Sequence, residues 1–385
     1  MGWPLVRLGE VLEPEIDAIE IDAAAIYRMS GVYSFGRGLF HREPLQGSET
    51  TYKRFHRLSV GQVVLSQLKG WEGAIAVVDQ ENAGRFLSTQ FPTFRCDESR
   101  AIIGYVGWFL KHAPNWQALR LKARGMGARR DTISPDKFLS LPLPLPPLAE
   151  QQRIVARLDR VAGLVAARAR AVSAMEADMQ AMLAKAFARC IADAPRRPMV
   201  EVAPLIRRPG EIELDGEYPE LGVRSFGRGT FHKPALAGAE VGTKKLFEIV
   251  SGDLLFNIVF AWEGAVAIAQ PEDAGRVGSH RFLTCVPEPT IATTDFLLFY
   301  FQSLDGLQRL GEASPGGAGR NRTLGLKKLE AIEVPVPPLE TQHWFDRLQA
   351  KARRIRAIRA ASARDADALI PALLHEVFGE KASAA

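Results

Sequence analysis

Apolar positions along this chain change their period several times, and each change marks an element. Val63-Val64-Leu65-Ser66-Gln67-Leu68-Lys69 reads as a strand, Gly70-Trp71-Glu72-Gly73 supplies turn residues, and Ala74 to Val78 reads as the returning strand. The arrangement returns at Leu254 to Val259, a turn near Trp262 to Gly264, and Ala265 to Ala269. Helical spacing follows near Gly104 to Leu121 and near Thr294 to Leu310. Each helix leads into a glycine-rich basic stretch, Arg124 to Thr132 and Pro315 to Thr323. Leu143-Pro144-Leu145-Pro146-Pro147 is extended, because proline blocks a helix there.

From Ala149 the apolar steps become three, four or seven: Ile154, Leu158, Val161, Val165, Val172, Met175, Met179 and Met182. That is a heptad-like seam on a helix running to about Cys190, on the order of 60 Å long. A second long helix, from about Glu340 to Phe378, carries Phe345, Leu348, Ile355, Leu369 and Leu373. Arg359 and Asp365 interrupt its seam, and Pro371 predicts a kink or a division. The two helices either pair as an antiparallel rod or pack separately, each on its own globular part.

The chain is a duplication. Ser34-Phe35-Gly36-Arg37-Gly38 recurs 191 residues later as Ser225-Phe226-Gly227-Arg228-Gly229. At the same offset Phe40-His41 matches Phe231-His232, Lys53 matches Lys244, and Trp71-Glu72-Gly73-Ala74 matches Trp262-Glu263-Gly264-Ala265. Gly84-Arg85 matches Gly275-Arg276, Arg129 matches Arg320, the Pro144 to Leu148 motif matches Pro335 to Leu339, and Gln151 matches Gln342. Two copies at so long a period exclude a solenoid. The expected fold is α+β: two similar mixed α/β domains separated by two long helices, pseudo-two-fold. The predicted boundaries are 1–146, 147–193, 194–337 and 338–385.

Composition narrows the chemistry only a little. Hydrophobic content of 47% is enough to bury a core, and a net charge of +5 suits a phosphate-rich partner without requiring one. Cys96, Cys190 and Cys285 are far apart and form no metal or disulfide pattern. Met1 to Leu5 lacks a signal-peptide pattern, and no apolar run approaches the roughly 20 residues of a membrane span, so a cytoplasmic protein is expected.

Enzyme signatures are weak. There is no GxxxxGK[ST] phosphate loop, and Gly36-Arg37-Gly38 is too short for a nucleotide fingerprint. Both Pro-Pro pairs are followed by leucine rather than an aromatic, unlike an adenine methyltransferase loop, and Pro135-Asp136-Lys137 has no nuclease partners. His41 and His232 repeat, but without an HExxH or a Ser/His/Asp pattern.

The repeated features suit binding instead. Arg37 and Arg228 sit in glycine-flanked turns that let backbone approach a partner; the plainer reading is a solvated arginine. Lys53, Lys244, Arg85 and Arg276 are candidate phosphate contacts, or ordinary surface charges. Glu72 and Glu263 at the tips could accept from cytosine, whereas Trp71 and Trp262 read as caps on a small core. Arg129, Arg130, Arg320 and Arg322 are candidate backbone clamps, against a plain surface loop. Before the tips, Ser66-Gln67-Leu68-Lys69 stands opposite Asn257-Ile258-Val259-Phe260. Gln67, Lys69 and Asn257 can hydrogen-bond base edges, while Ile258 and Phe260 cannot.

Leu141 to Asp159, LPLPLPPLAEQQRIVARLD, resembles the signature that opens the helical regions of type I restriction-modification specificity subunits. Val334 to Gln342 is a weaker second match, and Gly127-Ala128-Arg129-Arg130-x-x-Ile133-Ser134 resembles the glycine-led stretch before the prolines. The resemblance implies two target-recognition domains, each reading half of a split double-stranded DNA site, on an antiparallel coiled-coil spacer. It implies docking of two methyltransferase subunits on the helices, with motor-nuclease subunits in the full complex. The chain itself would hold no cofactor and no catalytic residue; S-adenosylmethionine would sit on the methyltransferase. A type IIB or orphan methylation system, or an enzyme with its own active site, are the alternatives.

Overall fold

The computed structural model describes residues 3–122, 132–242, 245–317 and 322–379. The chain divides into two compact units. The first takes in residues up to Ala171 and from Ala360 onward; the second is Val172–Arg359. Each unit therefore holds one α/β head and half of each long helix, a division that cuts across the predicted spacers.

In the first unit the antiparallel sheet runs Ile75–Val77, Val63–Leu65, Thr93–Cys96, Leu12–Pro14. A second sheet orders Phe86–Ser88, Arg54–Arg57 and Asp17–Glu20. Ser30–Val32 and Leu39–His41 form a ribbon in which Gly31 faces Phe40; a Cβ at Gly31 would come within 2.3 Å of that ring. Helices α1 (Ile103–Lys111), α2 (Ala113–Lys122) and α3 (Pro135–Leu139) pack on the first sheet around Tyr105, Phe109, Phe94 and Phe138. The proline segment Pro142–Pro144 pairs with Leu5–Arg7 and leads into α4 (Leu148–Ile191).

The second unit repeats the first sheet as Val266–Ile268, Leu254–Asn257, Phe282–Cys285 and Leu205–Ile206, but its other sheet has four strands, Thr230–Ala237, Glu217–Val223, Val277–Ser279 and Leu246–Glu248, with one parallel pair. Its helices are α5 (Met199–Val202), α6 (Gly238–Val241), α7 (Thr294–Gln302), α8 (Leu304–Glu312) and α9 (Leu326–Glu330), followed by α10 (Leu339–Phe378), which runs on into the first unit. Register repeats as well as sequence. Val63 faces Phe94 in one sheet and Leu254 faces Cys285 in the other; Leu5 faces Pro144 and Arg196 faces Pro335.

Several expected elements are shorter or divided. The strand at Val63 ends at Leu65, because Ser66 Oγ accepts the Lys69 amide at 3.2 Å and turns the chain. Gln67 and Lys69 therefore lie in a turn. The helix expected near Gly104 to Leu121 is two helices, broken at His112, whose ψ of 116° is extended. Pro114 falls in the first turn of α2, where a missing amide does least harm. Its counterpart breaks at Ser303, whose Oγ caps α8 by accepting from the Gly306 amide.

The long helices pair antiparallel within each unit. Arg157 meets Glu376 while Arg168 meets Ser362, and Glu176 meets Arg356 while Phe187 meets Phe345. They also pack on the heads: Ile154, Leu158, Leu374, Val377 and Phe378 join the first core, and Met179, Leu183, Phe187, Phe345 and Ala352 join the second. The two readings of the helices are thus both realised. The seam matches the expected one in part: Ile154, Leu158, Met179 and Phe345 are buried, but Met175, Met182, Ile355 and Leu369 are exposed. Met179, Leu183 and Phe187 step by four, following the period of a straight helix on a globular core rather than a strict heptad. α10 continues unbroken across Pro371, its last turn held by Leu374, Val377 and Phe378 in the first core.

Candidate nucleic-acid interface

The repeated glycine turn is the same pinned loop in both units. Phe35 and Gly36 both take left-handed backbone, with φ of 66° each, and Phe226 and Gly227 match them at 62° and 64°. Their amides are the reason. Phe35 N and Gly36 N donate to the carbonyls of Glu72 and Gly73 at 2.8 and 2.9 Å, and Phe226 N and Gly227 N to those of Glu263 and Gly264 at 2.8 and 3.0 Å. Left-handed backbone costs a residue with a Cβ about 1–2 kcal/mol, so the surrounding bonds must hold it there. The serine before each phenylalanine adds one: Ser34 Oγ donates to Glu72 Oε2 at 3.2 Å, and Ser225 Oγ to Glu263 Oε2 at 2.9 Å. Gly73 must lack a side chain, since a Cβ there would lie 2.8 Å from the Trp116 ring.

On this frame stand exposed cations and aromatics. Arg37 Nε donates to the Ser34 carbonyl at 3.0 Å, and its guanidinium lies 4.8 Å from the Tyr33 ring centre and 5.9 Å from that of Phe35. Tyr33 in turn stacks on Phe40 at 4.2 Å. In the second unit the Arg228 guanidinium lies 5.8 Å from the Phe226 ring, and Arg224 takes the place of Tyr33, 4.6 Å over Phe231. Phe35 is 63% and Phe226 71% exposed, so both rings face solvent. Guanidinium groups fit phosphate oxygens in a planar fork, and open aromatic faces fit bases. Tyr33, Phe35, Arg224 and Phe226, which the structure brings to this corner, were not among the candidates read from sequence. The usable signal was an apolar residue kept inside a glycine turn in both copies.

The structure places the other candidates as follows. Glu72 is a brace: one oxygen takes Ser34 and the other the Lys69 ammonium at 2.8 Å. Lys69 is exposed and also lies 5.4 Å from the Trp71 ring. Arg37, Lys69 and Glu72 thus come together at one corner of the head. Lys53 and Arg85 do not; they flank opposite ends of the strand pair Arg54–Arg57 and Phe86–Ser88. Arg85 Nη1 donates to the Met29 carbonyl at 3.2 Å, and Arg276 Nη1 to that of Glu220 at 3.4 Å, so each stitches backbone. Arg322 donates to the carbonyls of Ser314 and Gly311 and lies 4.7 Å over Trp262, an anchor for its loop. Trp71 packs against the first core, under the Arg120 guanidinium at 5.2 Å. Arg129, Arg130, Lys244 and Arg320 lie outside the described residues.

The turn before each tip keeps one backbone and changes its side chains. Gln67 N donates to Gln90 O and Ile133 N to Gln67 O; Ile258 N donates to Arg281 O and Leu324 N to Ile258 O, all between 2.8 and 3.1 Å. On that shared frame Gln67 and Lys69 stand where the other unit has Ile258 and Phe260. Asn257 closes its turn by accepting the Val259 amide at 3.0 Å.

The repeated histidines diverge. His232 Nε2 lies 2.9 Å from buried Asp273, which also accepts from Thr230. Burial alone would raise the Asp273 carboxyl, but the Gln270 amide, Thr230 and His232 outweigh it and hold the group below its usual range. In the first unit Asn82 takes the place of Asp273, bonds Ser30 at 3.0 Å, and leaves His41 exposed. Among the described residues no group of three or more His, Cys, Asp or Glu could hold a metal ion, and no helix is long and apolar enough to cross a membrane.

No family model matches the chain. It is 24% identical, over 93% of its own length and 80% of the relative's, to a Methanocaldococcus jannaschii protein named as the MjaX type I restriction enzyme specificity subunit. Among solved structures, a chain from a study of assembly and conformational transition of the type I restriction-modification system superposes with a TM-score of 0.69 at 19% identity. The match covers 98% of this chain and 97% of that one. The HsdS subunit of Thermoanaerobacter tengcongensis gives 0.54 at 20% identity, with coverage of 98% and 97%. In fold and along nearly its whole sequence, this chain resembles the specificity subunits of type I restriction-modification systems.

Proposed function

We propose that this chain is the DNA-recognition subunit of a type I restriction-modification enzyme, each unit reading one half of a bipartite site. The observation that carries the reading is the duplicated loop: an exposed arginine beside exposed aromatics on one hydrogen-bonded frame, next to a turn whose side chains differ between copies. Shared guanidinium groups grip phosphates without regard to sequence. The differing turns, Gln67 and Lys69 against Ile258 and Phe260, read bases. The helices carry methyltransferase subunits that bind S-adenosylmethionine and methylate adenine, and motor-nuclease subunits join for cleavage. The chain contributes no catalytic group.

Long-read methylation mapping of cells with the gene present and deleted tests this. A bipartite motif that disappears with the gene is expected. Methylation without sequence preference, or unchanged by deletion, would overturn the proposal.

A further inference from the structure

We propose that Phe35 and Phe226 are base-stacking wedges. In each half of a bound duplex the exposed ring enters between neighbouring base pairs, while Arg37 or Arg228 holds the adjacent phosphate. The proposal rests on the DNA-recognition reading and names the contact residues and their mode of contact.

Neither ring does much for the fold. Each is mostly exposed, so little apolar area leaves water, and each sits on left-handed backbone that a glycine would adopt without strain. The unfavourable choice occurs twice, 191 residues apart. It is not dictated by common neighbours. Phe35 meets the Trp116 ring edge-on at 6.2 Å, whereas the counterpart of Trp116 is Leu307, and the counterpart of Tyr33 is Arg224. What the two sites share is a way of presenting a ring. Two amide bonds and a Ser–Glu bond pin the loop, and a guanidinium lies 5.9 or 5.8 Å from the ring centre. A wedge must resist being pushed back when it separates a base step, and it needs a cation beside it to hold the backbone. Apolar side chains used this way unstack and kink the duplex. A protein partner could also use an exposed ring, but it would not call for a guanidinium at both copies, which phosphate does.

The test uses the chain co-purified with the methyltransferase of its operon and a duplex carrying the mapped motif, with 2-aminopurine placed at successive positions. Phe35→Gly and Phe226→Gly remove the ring and relieve the backbone, so the melting temperature should hold or rise. Each should weaken binding by about tenfold and abolish the 2-aminopurine emission change at one step of one half-site. Phe35→Trp should keep both signals. Variants that bind within twofold of wild type with the emission change intact overturn the wedge while leaving the DNA reading in place. So does loss of methyltransferase co-purification in the glycine variants, which would mark the rings as a protein contact. A wild-type complex with no preference for the motif over a scrambled duplex overturns the DNA reading itself, and the wedge with it.

Discussion

Gln151 and Gln342 are fully buried, and each makes the same three bonds. Gln151 Oε1 accepts the Ile102 amide at 2.8 Å, and its Nε2 donates to the carbonyls of Arg100 and Pro146 at 3.0 and 2.8 Å. Gln342 does this with Thr293, Ile291 and Pro337. Each glutamine clips the proline segment and a long-helix start to the entrance of α1 or α7. The sequence showed the glutamines as repeated; their role depends on residues about fifty positions away, so it was not legible there. Gln151→Leu leaves a buried amide and two carbonyls unpartnered and should destabilise the first unit by at least about 2 kcal/mol. Urea denaturation measures it, and a change under about 0.5 kcal/mol would contradict the clip. Glu72 has internal partners that the sequence did not show. A glutamate at a loop tip looks available, but here its oxygens already hold Ser34 and Lys69.

At the scale of elements, the long helices were legible in existence and extent, and only partly in which face they bury: Ile154, Leu158, Met179 and Phe345 of the expected seams are buried, while Met175, Met182, Ile355 and Leu369 are exposed. The expected seam held Met175, Met179 and Met182; of these only Met179 is buried, and the stripe continues through Leu183 and Phe187, which the seam did not include. The reason is that α4 packs on the head as well as on α10, and the shape of the head is set elsewhere in the chain. Between the helices, Glu176 accepts from both Nε and Nη2 of Arg356 at 2.6 to 3.1 Å. That hydrogen bonding comes first among the causes holding the Glu176 carboxyl below its usual range, against a smaller effect of burial. A depressed carboxylate pKa adds stability above its unfolded value and loses it as pH falls through the folded one. Glu176→Gln should therefore lower the melting temperature near pH 7, and the difference from wild type should shrink toward zero as pH drops below about 4. Thermal melts across that range check it; a difference independent of pH would mean that the ion pair contributes nothing. The group is partly exposed, so salt should weaken the effect.

At the scale of the whole molecule, one frame carries two sets of side chains. Exchanging residues 66–69 for those at 257–260 should leave the shared backbone bonds in place, since both turns already make them. The expected outcome is a changed base preference in one half-site, with the other half and the spacing kept. Methylation mapping reads both, and an unaltered motif would remove these turns from recognition. Mapping of the unaltered protein should give related but non-identical half-sites; two unrelated halves would contradict the shared frame.

The sequence by itself determined the duplication, the α+β class, the two long helices and the repeated positions. All are written in local period and in a constant offset, which need no knowledge of what touches what. Only tertiary structure decided that Phe35 and Phe226 are exposed on left-handed backbone, that Glu72 and Arg322 are taken up within the protein, and that the helix ends are core. Those outcomes depend on groups far apart in the chain, where a carboxylate, a carbonyl or a ring arrives to fill or leave open the space around a side chain.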